Sequence, residues 1–410
     1  MSVRDLDAFA RDVARWRARG SLSGEIRSTA ARIVRDVKRR GDAAVLANVR
    51  RFDRAAARRG DLVLEPADIR RAARSCPAEV RRALDVAHRR IRAFHEQQRR
   101  GAVTRRDRIA VVELIPLPLR RVGALVPRGA VAYPSTALMT GVPARVAGVG
   151  ELVIASPMPQ RGALDPALAY AAVLVRADAI YRAGGAAAVA ALSYGTELLP
   201  RVDKIVGPGN AYAAAAKQLV SADVGIDALA GPSELVAIAS RDADAATLVL
   251  DLLAQAEHGS GAFAALLSDD ARLLETVDRI VRRLSGDAQV RCYRARSLRD
   301  AAEAADAAAP EHALLAGHAA ERLRDRVARA GALFVGARSA VAFGDYVAGS
   351  NHSLPSGGTA RWSSPLRVED FVRWQARVAI ARPARLARAG VTVSRYERMR
   401  YHAASMEIRT

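Results

Sequence analysis

Cysteine is almost missing from this chain of 410 residues: it has two, Cys76 and Cys292, far apart and outside any CxxC spacing. That excludes a disulfide framework and a cysteine-rich zinc module, and it suits a reducing compartment, so a cytoplasmic protein is expected. Long apolar runs are missing too. No stretch approaches the roughly 20 apolar residues a bilayer crossing needs, so no membrane partner is expected. The opening "MSVRDLDAFARDVARWRARG" alternates charge with apolar residues at helical spacing and has no uninterrupted apolar centre of a secretory leader. Acidic residues are outnumbered, 43 Asp and Glu against 64 Lys and Arg, for a net charge of +21. The basic residues are nearly all arginine and run the whole length, without interleaved aromatics or a basic arm. They are read as solvating helix faces, with no specific nucleic-acid partner. The GxGxxG dinucleotide fingerprint is also lacking.

What is present points to an α/β fold. Half of the residues are hydrophobic, enough for a large core. The first hundred residues carry apolar positions at three- and four-residue intervals, as in "SGEIRSTAARIVRDVKRRGDAAVLANVRRFD", and read as helices. Short apolar runs then alternate with Ala-rich helical segments: "RRVGALVP", "ELVIAS" and "DKIVG", later "ELVAIAS", "AFAALLS" and "ALFVG". Strands that are apolar throughout imply parallel sheets covered on both faces. Two such series predict two Rossmann-like parallel-sheet domains, with a helical N-terminal segment and an extended helical C-terminal tail. The expected division is a helical segment 1–21, a first domain from 22–121 and 230–364, an inserted second domain 122–229, and a tail 365–410.

Candidate chemistry lies mainly with histidine. His88, His95 and His318 fall on arginine-bearing helices and read as surface residues. In "DLLAQAEHGSG", Gln255 and His258 are three apart before a terminating glycine, which predicts both on one helix face. An amide oxygen and an imidazole there can share a metal, its other ligands coming from elsewhere. "GDYVAGSNHSLPSGGTARWSS" is a polar, glycine-rich stretch holding Asp345 and His352, costly to order unless it grips a ligand. "IVGPGNAY" places Gly207 to Asn210 between a strand and a helix, where backbone N–H groups could hold a phosphate. Ser233 heads a strand without a nucleophile elbow, which sets aside a serine hydrolase. Glu311 and His312 are adjacent, a carboxylate beside an imidazole at the start of a strand.

Taken together and in this order, "RIRAFHEQQ", "YPSTALMTGVPARVAGV", "GGAAAVAALSYGTE", "VDKIVGPGNAY", "DALAGPSE", "DLLAQAEH", "PEHALL", "GDYVAGSNH…LPSGGTAR" and "HAASMEIR" resemble the histidinol dehydrogenase family, from about residue 22 to the C-terminus. The resemblance implies a zinc- and NAD-dependent homodimer that oxidises an amino alcohol to its acid in two hydride transfers. It implies Gln255, His258, Asp345 and His402 as zinc ligands, with the tail carrying His402 into the partner's site. It implies Glu311 and His312 as the proton-transfer residues, and Ser233, His352 and Glu397 as the substrate pocket. On the cofactor side Asn210 matches, but Leu125 in "GALVPRG" and Ala187 in "GGAAAVAAL" stand where the family has Tyr and Gln. Arg128 replaces a glycine in the same turn, and its guanidinium is expected to meet a phosphate. "GSNHSLPSGG" also departs from the family's "GPNHVLPTGG". L-histidinol is the first expected substrate. The alternatives are a paralogue acting on another small polar amino alcohol or diol, and a non-redox zinc protein that binds a metabolite.

Overall fold

A computed structural model describes residues 3–20, 22–129, 132–160, 163–228, 231–259, 261–285 and 290–410. The expected α/β architecture is present as two six-stranded sheets and a three-stranded ribbon. In the first sheet the strands lie in the order Arg4–Asp5, Val290–Arg294, Phe263–Ser268, Glu234–Ala239, His312–Ala316, Ala332–Val335, all parallel. Every residue of its three central strands is buried, because helices cover both faces. On one face Phe9 and Val13 of helix Leu6–Gly20 pack with Ala301, Ala302 and Ala305. On the other, Leu248, Val249 and Leu252 meet Leu273, Leu274 and Val277. Each such Leu or Val contributes roughly 1.5–3 kcal/mol by leaving water.

The second sheet runs Val63–Leu64, Ala179–Tyr181, Glu151–Ala155, Arg121–Leu125, Lys204–Val206, Gly225–Ile226. Only its first strand is antiparallel. This edge strand and the helices between residues 24 and 96 build onto the second sheet rather than the first, which differs from the expected division, while Val103–Arg106 and Ala110–Pro118 belong to the three-stranded ribbon. Helix Gly24–Arg40 turns Ala30, Val34 and Val37 into a core shared with Ala188, Leu192 and Val220. Helix Ala78–Glu96 packs Leu84, Ala87 and Ile91 with Leu138 and Val142. The N-terminal segment, in turn, supplies a strand and a helix to the first sheet. Periodicity shows that a helix has an apolar face; it does not show which sheet receives it.

Two further differences have local causes. His95 is not on the surface: it continues the stripe of Leu84, Ala87 and Ile91, is fully buried, and its Nδ1 lies 2.8 Å from the Ile91 carbonyl. His88 is half-buried and His318 exposed. The tail is not wholly helical either. Val372–Ile380 forms a nine-residue strand antiparallel to Ala110–Pro118, before helices Ala384–Tyr396 and Arg400–Glu407. Its Val372, Trp374, Ala376, Val378 and Ile380 alternate with Arg373, Gln375 and Arg377 as a strand's residues do, although Val378 and Ile380 lie exposed in this chain. Among the described residues no helix is long and apolar enough to cross a membrane.

Candidate active site

A cleft of about 790 Å³ lies between the sheets. From the second sheet it takes Gly207 and Pro208, which follow strand Lys204–Val206 at its carboxyl end. From the first it takes Ser233, Glu311 and His312, which sit at the amino ends of neighbouring parallel strands. The third wall is His258, Asp345, Tyr346, His352 and Ser353. The structure therefore gathers most of the polar residues singled out from the sequence.

Helix Ala245–Ala256 ends one residue after Gln255. His258 lies in the turn beyond it, ahead of Gly259 at φ +105°, so the two are not on one helix face as expected. The Gln255 amide nitrogen donates to Ser233 Oγ at 2.9 Å. That bond fixes the amide flip and leaves the carbonyl oxygen as the free donor atom. Asp345 comes from the short helix Val341–Tyr346. Burial raises its pKa, opposed by the positive charges that His312 and His258 can carry.

His312 is enclosed. Its Nδ1 faces the Glu234 carbonyl at 3.3 Å, while its Nε2 is 4.0 Å from Asp345 Oδ1. A carbonyl only accepts, so the Nδ1–H is the donor and Nε2 is the free basic nitrogen. Burial lowers the His312 pKa, with Asp345 opposing, which keeps the ring neutral. Glu311 Oε2 is 3.9 Å from His312 Nδ1 and accepts the Glu234 N–H at 3.2 Å. Its burial pushes the carboxyl up to about 7, against a bond from Ser233 that lowers it. His352 is driven down to about 4 by burial, and its Nδ1 donates to the Asp345 carbonyl at 3.0 Å. A carboxyl near 7 beside a neutral imidazole is a pair built to move protons at neutral pH.

The donor set suits zinc in chemical type: the His258 imidazole and the Asp345 carboxylate line the cleft, and the Gln255 amide lies next to Ser233. It is incomplete within one chain. Among the described residues no three His, Cys, Asp or Glu side chains form a metal-holding group. His402 and Glu397 are exposed on the tail helices and are not part of the cleft. The same helices expose Tyr396 (90%) and Ile408 (83%), an unusual load of apolar surface.

The cofactor side fits less well. Leu125 and Ala187 are buried in the apolar core of the second sheet and offer no polar side-chain atom. Asn210 caps helix Ala211–Val220, its side-chain oxygen accepting the Ala213 N–H at 3.0 Å. Arg128 is half-buried, and its charge lowers the pKa of Asp53, which burial otherwise raises. The expected phosphate cradle is partly spent: the Gly207 N–H already donates to Asp227 Oδ2 at 2.6 Å. Lys217, 2% exposed, closes that turn by pairing with Asp227 and donating to the Gly207 carbonyl at 3.0 Å.

Sequence reasoning passed over three groups here. Glu234 heads an otherwise apolar strand, a signal that was visible beside Ser233. Lys217 stands in the alanine-rich "AYAAAAKQLV", a lone cation on a helix apolar all round. Asn351 donates to the Met139 carbonyl at 2.6 Å and ties the polar stretch to the second sheet's helix; nothing in its spacing marked it.

A two-sheet α/β body with an acid–base pair in the intervening cleft defines an enzyme of the dehydrogenase type in its architecture. The comparisons make this specific. The sequence profile of the family described as histidinol dehydrogenase matches residues 17–410. A histidinol dehydrogenase of Syntrophotalea carbinolica is 40% identical over 408 residues, covering 96% of this chain and 94% of the relative. One of Bordetella parapertussis is 41% identical, covering 94% and 91%. The crystal structure of histidinol dehydrogenase from Elizabethkingia anophelis superposes with a TM-score of 0.89 at 28% identity, covering 95% and 93%. The chain belongs to the histidinol dehydrogenase family, oxidoreductases that act on a CH–OH group.

Proposed function

We propose that the protein oxidises L-histidinol to L-histidine through the aldehyde, in two hydride transfers, with zinc and NAD. The observation that carries the reading is the Glu311–His312 pair in a cleft that His258 and Asp345 also line and that Gln255 adjoins through Ser233; Gln255, His258 and Asp345 are the three metal-type donors. Those three residues would hold the zinc ion, with His402 of a second copy as the fourth ligand. When bound, zinc would make the substrate hydroxyl more acidic, and the nicotinamide would accept the hydride. His312 takes the hydroxyl proton on Nε2 as hydride leaves carbon, giving the aldehyde. Glu311 then takes a proton from water as the water oxygen adds to the aldehyde carbon, and His312 returns its proton to the aldehyde oxygen, which gives the hydrate and frees Nε2. His312 removes the next hydroxyl proton as the second hydride departs, and the carboxylic acid results. Keeping the aldehyde in the cleft avoids releasing a reactive intermediate. Ser233, His352 and Glu397 line the substrate, the last as counter-charge to its cation.

The NAD contacts are the weakest part of the site. Without polar groups at Leu125 and Ala187, about 1–3 kcal/mol of binding is lost, roughly ten- to hundredfold in affinity. Asn210 and Arg128 are the remaining holds. The exposed apolar face of the tail helices supports a homodimer in which each tail completes the other's site, and two buried free thiols support a cytoplasmic setting.

The test is purified protein with zinc, L-histidinol and NAD, followed by NADH absorbance. His312→Ala should abolish turnover with zinc retained, whereas His258→Ala should lose zinc as well; equal metal content in the two would contradict the assignment. A mixture of His402→Ala and His312→Ala chains, each inactive alone, should regain activity if sites are shared. Ser353 and Ser356 line the cleft where the family motif has Val and Thr, which favours one second reading, another small amino alcohol as substrate. A panel of such alcohols decides it.

A further inference from the structure

Behind Glu311 lies a second acid outside the cleft. Glu234 is 2% exposed and does not line the cavity. The two residues clasp each other: the Glu234 N–H donates to Glu311 Oε2 at 3.2 Å, and the Glu311 N–H donates to the Glu234 carboxylate. This is possible because both precede the first rung between their strands, Leu235 opposite His312, so these N–H groups are free of that ladder. The Gly357 N–H, from the glycine-rich turn, donates to Glu234 Oε1 at 2.9 Å. The Glu234 carbonyl in turn holds Nδ1 of His312.

The cation whose charge opposes the rise in the Glu234 pKa is Arg17, from helix Leu6–Gly20. Arg17 donates to the Ala308 carbonyl at the end of helix Leu298–Ala308, and Arg361 donates to the neighbouring Ala307 carbonyl. Burial raises the pKa of both carboxyls, and the charge of Glu311 raises Glu234 further while Arg17 opposes. On the cleft side, His258 and Asp345 act on Glu311 with opposite signs.

We propose that Glu234 is a positioning residue for Glu311: held by the Gly357 N–H and by Arg17, it fixes the Glu311 backbone and carboxylate in place to take the proton of the attacking water. In that step a water O–H bond breaks and its proton passes to the Glu311 carboxylate, a C–O bond forms at the aldehyde carbon, and the C=O π pair moves onto the aldehyde oxygen, which takes the proton held by His312. Glu234 neither gains nor loses a proton and touches no substrate. The inference rests on Glu311 being the water-activating base, as set out above.

The experiment separates the two oxidations in the zinc-loaded enzyme, starting from histidinol or from its aldehyde. Glu234→Ala removes the acceptor of the two N–H groups. It should slow aldehyde oxidation about tenfold to hundredfold, a fraction of what a general base supplies. Alcohol oxidation, KM and zinc content should stay within twofold of the parent. Glu234→Gln, which keeps an accepting oxygen, should restore most of the aldehyde step. Equal slowing of both steps by Glu234→Ala would mean a general structural role, and no slowing would mean no role; either overturns the proposal. If Glu234→Ala melts at assay temperature, Arg17→Gln is read for the same split. Glu311→Gln separates the two inferences: if it keeps full aldehyde oxidation the base assignment fails, whereas if it is inactive and Glu234→Ala is normal, only the clasp fails.

Discussion

Lys217→Met should destabilise the protein by about 3 kcal/mol, the low end for breaking a buried ion pair. The ammonium sits on helix Ala211–Val220 and pairs with Asp227, the two side chains being 2% and 10% exposed. Methionine fills much of the same space, so little of the loss is a cavity. The cost is the carboxylate left behind. Asp227 keeps two bonds, from the Gly207 N–H at 2.6 Å and the Ala228 N–H at 2.7 Å, which limits the penalty. Removing the charge as well, in Lys217→Met/Asp227→Asn, should recover about 2 kcal/mol of it, a coupling of the size seen between touching groups. The assay is urea unfolding at fixed protein and zinc concentration, since both bias the folded state. Because Gly207 and Pro208 line the cleft, the single variant should also raise KM for the dinucleotide. A single variant within about 0.5 kcal/mol of the parent, or strictly additive single and double variants, would refute the reasoning.

Glu311 trades stability for function. With its carboxyl at about 7 when folded against 4.5 as an ordinary side chain, the folded state holds a proton that the unfolded chain releases. The contribution of this group to stability is therefore full below pH 4.5 and is lost as pH rises through about 7. Glu311→Gln should melt with the parent at pH 4 and exceed it above pH 7 by on the order of 2 kcal/mol; the opposite order would mean the acid is not buried. In the parent, aldehyde oxidation should rise through pH 7 as this base ionises, and a flat profile from pH 6 to 8 would count against it. Cys292 is pushed up to about 12 by burial, so a thiol reagent at pH 8 should label neither it nor Cys76 until the protein is unfolded. Rapid labelling of two thiols in the native protein would contradict that packing. Gly207 has φ +97°, and an added Cβ would lie 2.4 Å from the Leu125 carbonyl oxygen. Gly207→Ala should cost several kcal/mol, roughly 1–2 from the backbone alone, and lower the melting temperature; an unchanged melt would mean the turn is free to move.

Much of the fold was legible because its signals are local. Apolar runs such as Glu234–Ala239 and Phe263–Ser268 can only be doubly covered strands, and they are. The site was legible in part. His258, Asp345, Glu311 and His312 line one cleft, through motifs whose chemistry is in their own side chains, and Gln255 adjoins it through Ser233. His402 and Glu397 lie exposed on the tail, away from that cleft. Leu125 and Ala187 were read as cofactor positions and lie in the core, since their neighbours, not their identity, decide what they touch. The allotment of residues 22–121 and the depth of His95 failed for a related reason: which surfaces meet is settled by the assembled sheets.

The rung that pairs Leu235 with His312 has a consequence for how this protein can vary. The acids, the imidazole and the carbonyl that orients it are aligned by strand register alone, with no loop to absorb an error. One residue inserted or deleted within Glu234–Ala239 or His312–Ala316 would turn a side chain at the cleft toward the opposite face of the sheet. Length changes are thus tolerable in the connections and forbidden in these two strands, whatever residue is added.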